Sequence, residues 1–196
     1  MSTKEFWSGQ FGDDYLRRNR VDWRARIPFW DKIIQMTGIR SVYEVGANCG
    51  WNLSAIQHSI CGYNVGLHGC EINPYAETQA KYVGLNVERL DALTALDQYS
   101  GGIFELVFTA GVLIHIAPED LQATMQSIID ASCDYVLAVE YAAEQEEEVL
   151  YRGHEGKLWK RPYGKLYQDM GLTLVDAGFL SKGSGFDDCN WWLLRK

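Results

Sequence analysis

Val42-Tyr-Glu-Val-Gly-Ala-Asn-Cys-Gly-Trp51 is an apolar run that passes through an acid, Glu44, and reaches two glycines before an amphipathic segment begins. It predicts the first strand of a Rossmann-type sheet, a tight loop and the opening of a helix. The order is Glu44-x-Gly46-x-x-x-Gly50. A dinucleotide site has Gly-x-Gly-x-x-Gly, in which the second glycine lets the backbone approach a pyrophosphate. Asn48 occupies that place here.

The loop therefore suits a nucleoside cofactor without phosphates, of which S-adenosylmethionine is the common one; the alternative is a glycine-rich turn with no ligand. Downstream, Leu53, Ile56 and Ile60 stand at helical spacing. The stretch from Asn64 to Glu71 then reads as a second strand, followed by Asn73 as a helix N-cap and Pro74 at the first helical position. In Rossmann-type sites a carboxylate at the end of the second strand, about 20 residues beyond the glycine loop, takes the ribose hydroxyls. Glu71 falls there.

Further along, residues 85–92 give a short third strand ending at Asp91, and Ile103 to Ala110 a fourth. The fourth is almost wholly apolar, as a parallel strand buried on both faces should be. It runs into Gly111-Val-Leu-Ile-His115-Ile-Ala-Pro118, and the next helix carries Glu119 and Asp120 in its first turn. Tyr135 to Glu140 is the fifth strand. An acidic run, Glu144 to Glu148, reads as a solvated helix, and Tyr151-Arg152-Gly-His154 follows it where open α/β sheets bind ligands. After a helix over 163–170, strands at 172–180 and 190–194 are joined by a link too short for a crossover helix, so they must be antiparallel. Upstream, residues 1–37 are aromatic and helical in pattern, with Tyr15, Arg17, Arg18 and Arg20 facing either a cleft or solvent.

The reading is an α/β fold, a Rossmann-like seven-stranded sheet, mostly parallel with an antiparallel C-terminal strand. A single domain over 1–196 is expected, with an N-terminal helical cap (1–37) on a core (38–196). At 196 residues and 47% hydrophobic, the chain can fill one such core. The net charge of −8 and pI near 5.0 disfavour nucleic acid as a partner. Five cysteines without Cys-x-x-Cys spacing suggest neither a disulfide framework nor a metal site, and imply reduced thiols in a cytoplasmic protein. No apolar run approaches the ~20 residues of a membrane helix.

With Glu44-x-Gly46-x-x-x-Gly50, Glu71 and Asp91 at successive strand ends, the whole chain resembles the class I S-adenosylmethionine-dependent methyltransferases. Phe6 to Tyr15, Glu44-Val-Gly-Ala-Asn, Gly111-Val-Leu-Ile-His-Ile, Tyr151-Arg-Gly-His154 and the closing Asp-Asp-x-x-Trp-x-Leu resemble those associated with pseudaminic acid biosynthesis. That resemblance implies S-adenosylmethionine as cofactor and a small sugar-like acceptor, such as a nucleotide-activated sugar of a surface glycan. It places Gly46, Asn48 and Gly50 at the methionine moiety, Glu71 at the ribose, Asp91 and Ala92 at the adenine, and Ala110 and Gly111 along the cofactor. Glu44 and Ile72 complete the set. Trp51-Asn52 makes a bulkier helix opening than the family pattern has.

For the acceptor, Arg20, Tyr141, Tyr151, Arg152 and His154 are the candidate contacts, and arginine among them suggests an anionic handle. His115 is the candidate general base, with an ordinary pKa near 6.5 suited to neutral pH; the alternative is a histidine that only hydrogen-bonds a loop. A similar segment in phosphoethanolamine methyltransferases pairs its histidine with an N-terminal tyrosine, a part Tyr15 would take. Two further readings stay open, an N- or carboxylate-methyltransferase of a small natural product and a non-catalytic S-adenosylmethionine-binding protein.

Overall fold

The computed structural model describes residues 1–196. Its sheet is built outward from β1 (Ser41–Val45), which pairs in parallel with β2 (Gly66–Cys70) on one side and later with β4 on the other. β3 (Val87–Glu88) extends the β2 side; β4 (Phe104–Ala110) and β5 (Ser132–Glu140) extend the other. A separate hairpin joins β6 (Glu147–Glu148) to β7 (Trp159–Lys160). The chain ends in β8 (Thr173–Leu180) and β9 (Cys189–Arg195). The order is β3-β2-β1-β4-β5-β9-β8. β9 is antiparallel to both β5 and β8, so one strand of seven runs backwards, as the sequence predicts. That strand lies inside the sheet, and β8 is its edge.

Successive residues of β1 point to opposite faces. Val42 joins Trp30, Ile33, Leu53, Ile56 and Phe108 in one core; Tyr43 and Val45 join Val107, Met125, Ile128, Tyr163 and Tyr167 in the other. Both faces are covered, which is why β4 and β5 read as near-continuous apolar runs.

The expected N-terminal cap divides in two. α1 (Thr3–Ser8), opened by a Ser2/Glu5 capping box, and α2 (Gln10–Arg18) lie over the carboxyl ends of the strands. α3 (Ile27–Thr37), entered through a 3-10 turn at Trp23–Arg26, instead belongs to the sheet's core: Trp30 is fully buried, its ring 4.6 Å from Phe108. The remaining helices are α4 (Trp51–Gln57), α5 (Pro74–Tyr82), α6 (Ala92–Asp97), α7 (Pro118–Ala131) and α8 (Tyr163–Asp169). α6 was not expected; Asp91, read as a strand end, caps it. The acidic run is not a helix. A helix would set Glu144 against Glu147 and Glu148 at three- and four-residue spacing, where like charges repel. Glu147 and Glu148 pair instead with Lys160 and Trp159 across the hairpin, and Glu146 reaches Arg161 at 2.6 Å. No helix is long and apolar enough to cross a membrane.

Candidate active site

The sheet's order reverses between β1 and β4, and the main cavity opens at their carboxyl ends, the usual ligand position in open α/β sheets. Its first wall is the loop after β1. Gly46 sits at φ +69°, and a Cβ there would meet Val112 at 2.5 Å. Asn48 also has positive φ (52°), a conformation asparagine tolerates. Gly50, at φ +82°, is required for a different reason: a Cβ there would meet the Leu85 side chain at 2.1 Å. It packs the loop onto the body of the protein and does not line the cavity.

Glu71 fastens this wall. One carboxylate oxygen accepts the Asn48 N–H and the other the Asn73 N–H, each at 2.7 Å. Burial raises its pKa, and those N–H groups, with that of Ile72, oppose the rise. Asn73 in turn caps α5 through the Ala76 N–H (2.8 Å), while its amide donates to the Trp7 carbonyl (3.1 Å) and to Asp13 (2.9 Å). The loop after β2 thus ties the glycine loop to the cap.

The floor is a charged chain. Arg26 donates to the Asn52 side-chain oxygen at 2.9 Å, and the Asn52 amide donates to Glu44 at 2.7 Å. The second Glu44 oxygen is buried with no partner. Burial pushes this carboxyl up to about 8, against the opposing pull of Asn52 and Arg26. An unpaired buried carboxylate oxygen is costly.

The third wall is the loop after β4, from Ala110 and Gly111 to His115. The fully buried Glu140, at the end of β5, accepts the N–H groups of Val112, Leu113 and Ile114 at 3.1, 3.1 and 3.4 Å, and burial pushes it up to about 7. Arg161 donates to the Leu113 and Ile116 carbonyls, both at 3.1 Å. His115 Nδ1 lies 2.7 Å from the Lys157 carbonyl oxygen. A carbonyl only accepts, so Nδ1 carries the proton and Nε2 keeps its lone pair. Nε2 has no protein partner. Burial pulls His115 down to about 4, partly offset by that hydrogen bond. Its ring lies 4.4 Å from Trp7 and 5.2 Å from Tyr151.

α1 and α2 form the roof with Thr3, Lys4, Trp7 and Tyr15. Lys4 pairs with Asp91 at 2.9 Å. Burial pushes the Tyr15 hydroxyl up to about 12.

Of the residues singled out from sequence, Tyr15, Glu44, Gly46, Asn48, Glu71, Ile72, Asp91, Ala92, Ala110, Gly111 and His115 line this one cavity. The proposed acceptor residues are placed differently. Arg20 lines a separate groove. Tyr141 hydrogen-bonds Asp187, Tyr151 stands behind His115, and Arg152 is exposed at φ 50°. His154 is exposed and packs its ring 5.0 Å from Phe6. Sequence reasoning assigned no role to Arg26, Asn52, Lys4, Trp7 or Glu140, although Trp7 lies in the Phe6–Tyr15 stretch that carries the resemblance and Glu140 is an acid at a strand's carboxyl end.

No protein-family model and no curated protein matches the sequence. Solved structures match the fold. The magnesium protoporphyrin IX methyltransferase from Synechocystis PCC 6803, with S-adenosylmethionine bound, is similar over 100% of this chain and 98% of its own, with a TM-score of 0.67 at 15% identity. A Burkholderia thailandensis 1,6-didemethyltoxoflavin-N1-methyltransferase, with 1,6-didemethyltoxoflavin and S-adenosylhomocysteine bound, is similar over 99% of this chain and 86% of its own (TM-score 0.70, 15% identity). An S-adenosylmethionine-dependent methyltransferase from Archaeoglobus fulgidus covers 88% of this chain and 92% of its own (TM-score 0.65, 14% identity). The chain has the Rossmann-like fold of the class I S-adenosylmethionine-dependent methyltransferases.

Proposed function

We propose that this protein is an S-adenosylmethionine-dependent methyltransferase acting on a small acceptor. The observation that carries the reading is the convergence, in one cavity, of an unpartnered buried Glu44 oxygen, Glu71 just after β2, Asp91 at the N-cap of α6, and an unprotonated His115 Nε2. The fit to the cofactor is chemical. Glu44 offers a charge-seeking acceptor for an ammonium, Arg26 a guanidinium for a carboxylate, and Glu71 free lone pairs for ribose hydroxyls. Asp91, held below its ordinary range by Lys4 and Thr94 despite burial, would stand by the adenine with Ala92.

Bound there, S-adenosylmethionine would supply an electrophilic methyl carbon. The protein's own contribution is alignment and proton removal. The glycine loop fixes one reactant. Glu140 and Arg161 hold the 112–116 loop so that His115 cannot swing away. His115 Nε2 takes the acceptor's proton, and the Tyr15 hydroxyl, protonated at neutral pH, orients the acceptor oxygen. Trp7 and Tyr151 pack on His115 and keep bulk water from it.

For the acceptor we favour a small anionic, sugar-like molecule, on the strength of the resemblance in the Tyr151–His154 segment and the polar tip it presents beside the cap. Five free thiols suit a cytoplasmic setting. Two measurements test the reading. S-adenosylhomocysteine at ~100 times its dissociation constant should stabilise the fold by roughly 2.7 kcal/mol; a thermal shift with NAD and none with S-adenosylhomocysteine would overturn it. Labelled-methyl transfer to a panel of nucleotide sugars, amino sugars and small acids then identifies the acceptor class, and transfer confined to uncharged acceptors would sink the anionic handle.

A further inference from the structure

A second groove lies on the other side of Trp51, which also lines the cavity, between the end of α2 and the helices α4 and α5, lined among others by Arg17, Arg20, Trp23, Tyr75 and Gln79. We propose that it is a second ligand site, for a small planar ring carrying one anionic group, a carboxylate or a phosphate monoester. The inference stands apart from the methyl-transfer reading.

Charge is the first argument. The chain carries a net charge of −8, yet no acidic residue lines this groove and two arginines do. Arg20 has no ion pair, hydrogen bond or aromatic ring as partner anywhere in the protein. Arg17 touches Asp14 at 3.3 Å, but both side chains are exposed, and such a pair is worth little. Its guanidinium otherwise hangs 5.6 Å from the Tyr75 ring. Two planar donor forks facing one groove fit a carboxylate or phosphate, which they pair in bidentate fashion.

Shape and polarity are the second. Trp23, Trp51 and Tyr75 do not stack on one another; Trp23 packs on His58 (ring centroids 4.7 Å) and under the Arg24 guanidinium (4.5 Å), so Tyr75 presents the free ring of the three. Tyr75 is 40% exposed, and Trp23 and Trp51 are only partly buried. An exposed ring at the rim of a groove, here Tyr75, takes a planar ligand by stacking, and the nearby Arg17 guanidinium strengthens such a stack. The Tyr75 hydroxyl and the Gln79 amide also lack protein partners, leaving polar groups to fix the ligand's orientation. Small-molecule sites have this composition, apolar walls with a few convergent polar groups.

The test is calorimetric titration of 2-naphthoate and 2-naphthyl phosphate, with 2-naphthamide as the neutral control, into the full-length protein with and without saturating S-adenosylhomocysteine. The two anionic probes separate carboxylate from phosphate preference. Expected is one site per chain for at least one anion, about tenfold weaker for the amide and in Arg20→Gln, weakened also in Tyr75→Leu, and still present with S-adenosylhomocysteine bound. Arg20 is exposed, so its variant should melt with the wild type. Equal binding of amide and acids, undiminished binding in Arg20→Gln and Arg17→Gln, displacement of the probe by S-adenosylhomocysteine, or no binding of either anion would each overturn the proposal.

Discussion

On the β1–β2 side of the cavity, the N–H groups of Asn48 and Asn73 close on one carboxylate, Glu71, at 2.7 Å each. On the cap side, Phe6, Trp7, Phe11, Tyr151 and His154 meet through ring faces and edges at centroid separations of 3.9 to 6.2 Å. The first wall is directional and spans residues near each other in sequence. The second is adaptable and joins residues at opposite ends of the chain. A cofactor with constant shape is well served by the first, and a site that must open to admit its ligands by the second. Asn73 links them by hydrogen bonds, capping α5 with its oxygen and holding α1 and α2 with its amide.

The contrast breaks most visibly at His115, which the third wall carries to the cap. His115→Ala should lower turnover by the ~10²–10⁴ expected of a lost general base, with S-adenosylhomocysteine affinity held. Full turnover in that variant would leave alignment as the sole contribution. Because its pKa lies near 4, below the ordinary value, the histidine is already unprotonated at pH 6; its inflection in the kcat profile should fall near 4 and not 6.5. Its contribution to stability is full above the ordinary value and is lost as pH falls toward 4.

Next in size, Glu71→Ala should weaken S-adenosylhomocysteine binding by ~1.5–3 kcal/mol, the scale of hydrogen bonds to a charged group, with unchanged packing of the cap aromatics. Unchanged affinity by calorimetry would show that the directional wall is only structural. Asn73→Ala should cost ~1 kcal/mol as a lost N-cap and also free the cap to limited proteolysis between residues 18 and 27. Protection equal to wild type would mean the rings alone hold the roof.

Glu44 sharpens the comparison through pH. Its folded pKa, about 8, lies above the ordinary carboxylate range, so the stability it contributes is full at low pH and is lost as pH rises through about 8. Arg26 favours its ionised form and nearby Glu71 disfavours it. A ligand ammonium would ionise it, so binding at pH 7 should release a proton, read as a buffer-dependent binding enthalpy that disappears in Glu44→Gln. A wild-type enthalpy independent of buffer would contradict this. The smallest effect is expected at Lys4, whose pair with Asp91 leaves the ammonium half-exposed. Lys4→Ala should change stability by at most ~0.2–1 kcal/mol, and a larger loss would mean the cap is held by charge.

Most of the wall built on the glycine loop was legible because its determinants are local. The glycines, the strand-end acids and the Asn73-Pro74 helix start lie within about one strand-loop-helix unit of each other, where chain connectivity limits the outcomes. The acceptor side was harder to read. Arg20 follows Tyr15 by five residues, yet α2 ends between them and sends the two into different cavities. Arg26 belongs to no motif, and is part of the floor only because the fold brings Asn52 within 2.9 Å of it. The helix expected at Glu144–Glu148 failed because a distant segment, Trp159–Arg161, supplied strand partners and a cation.

Period-two and period-3.6 apolar patterns, glycine placement and the short β8–β9 link determined the sheet, its one reversed strand and the position of the glycine loop, because each acts over a span that backbone geometry constrains. Tertiary structure alone decided which charges are buried and paired. The Glu44–Asn52–Arg26 chain, the three N–H groups on Glu140 and the tautomer of His115 depend on contacts between residues 8 to 42 apart, and burial gives each its altered proton affinity only after the core has closed around it.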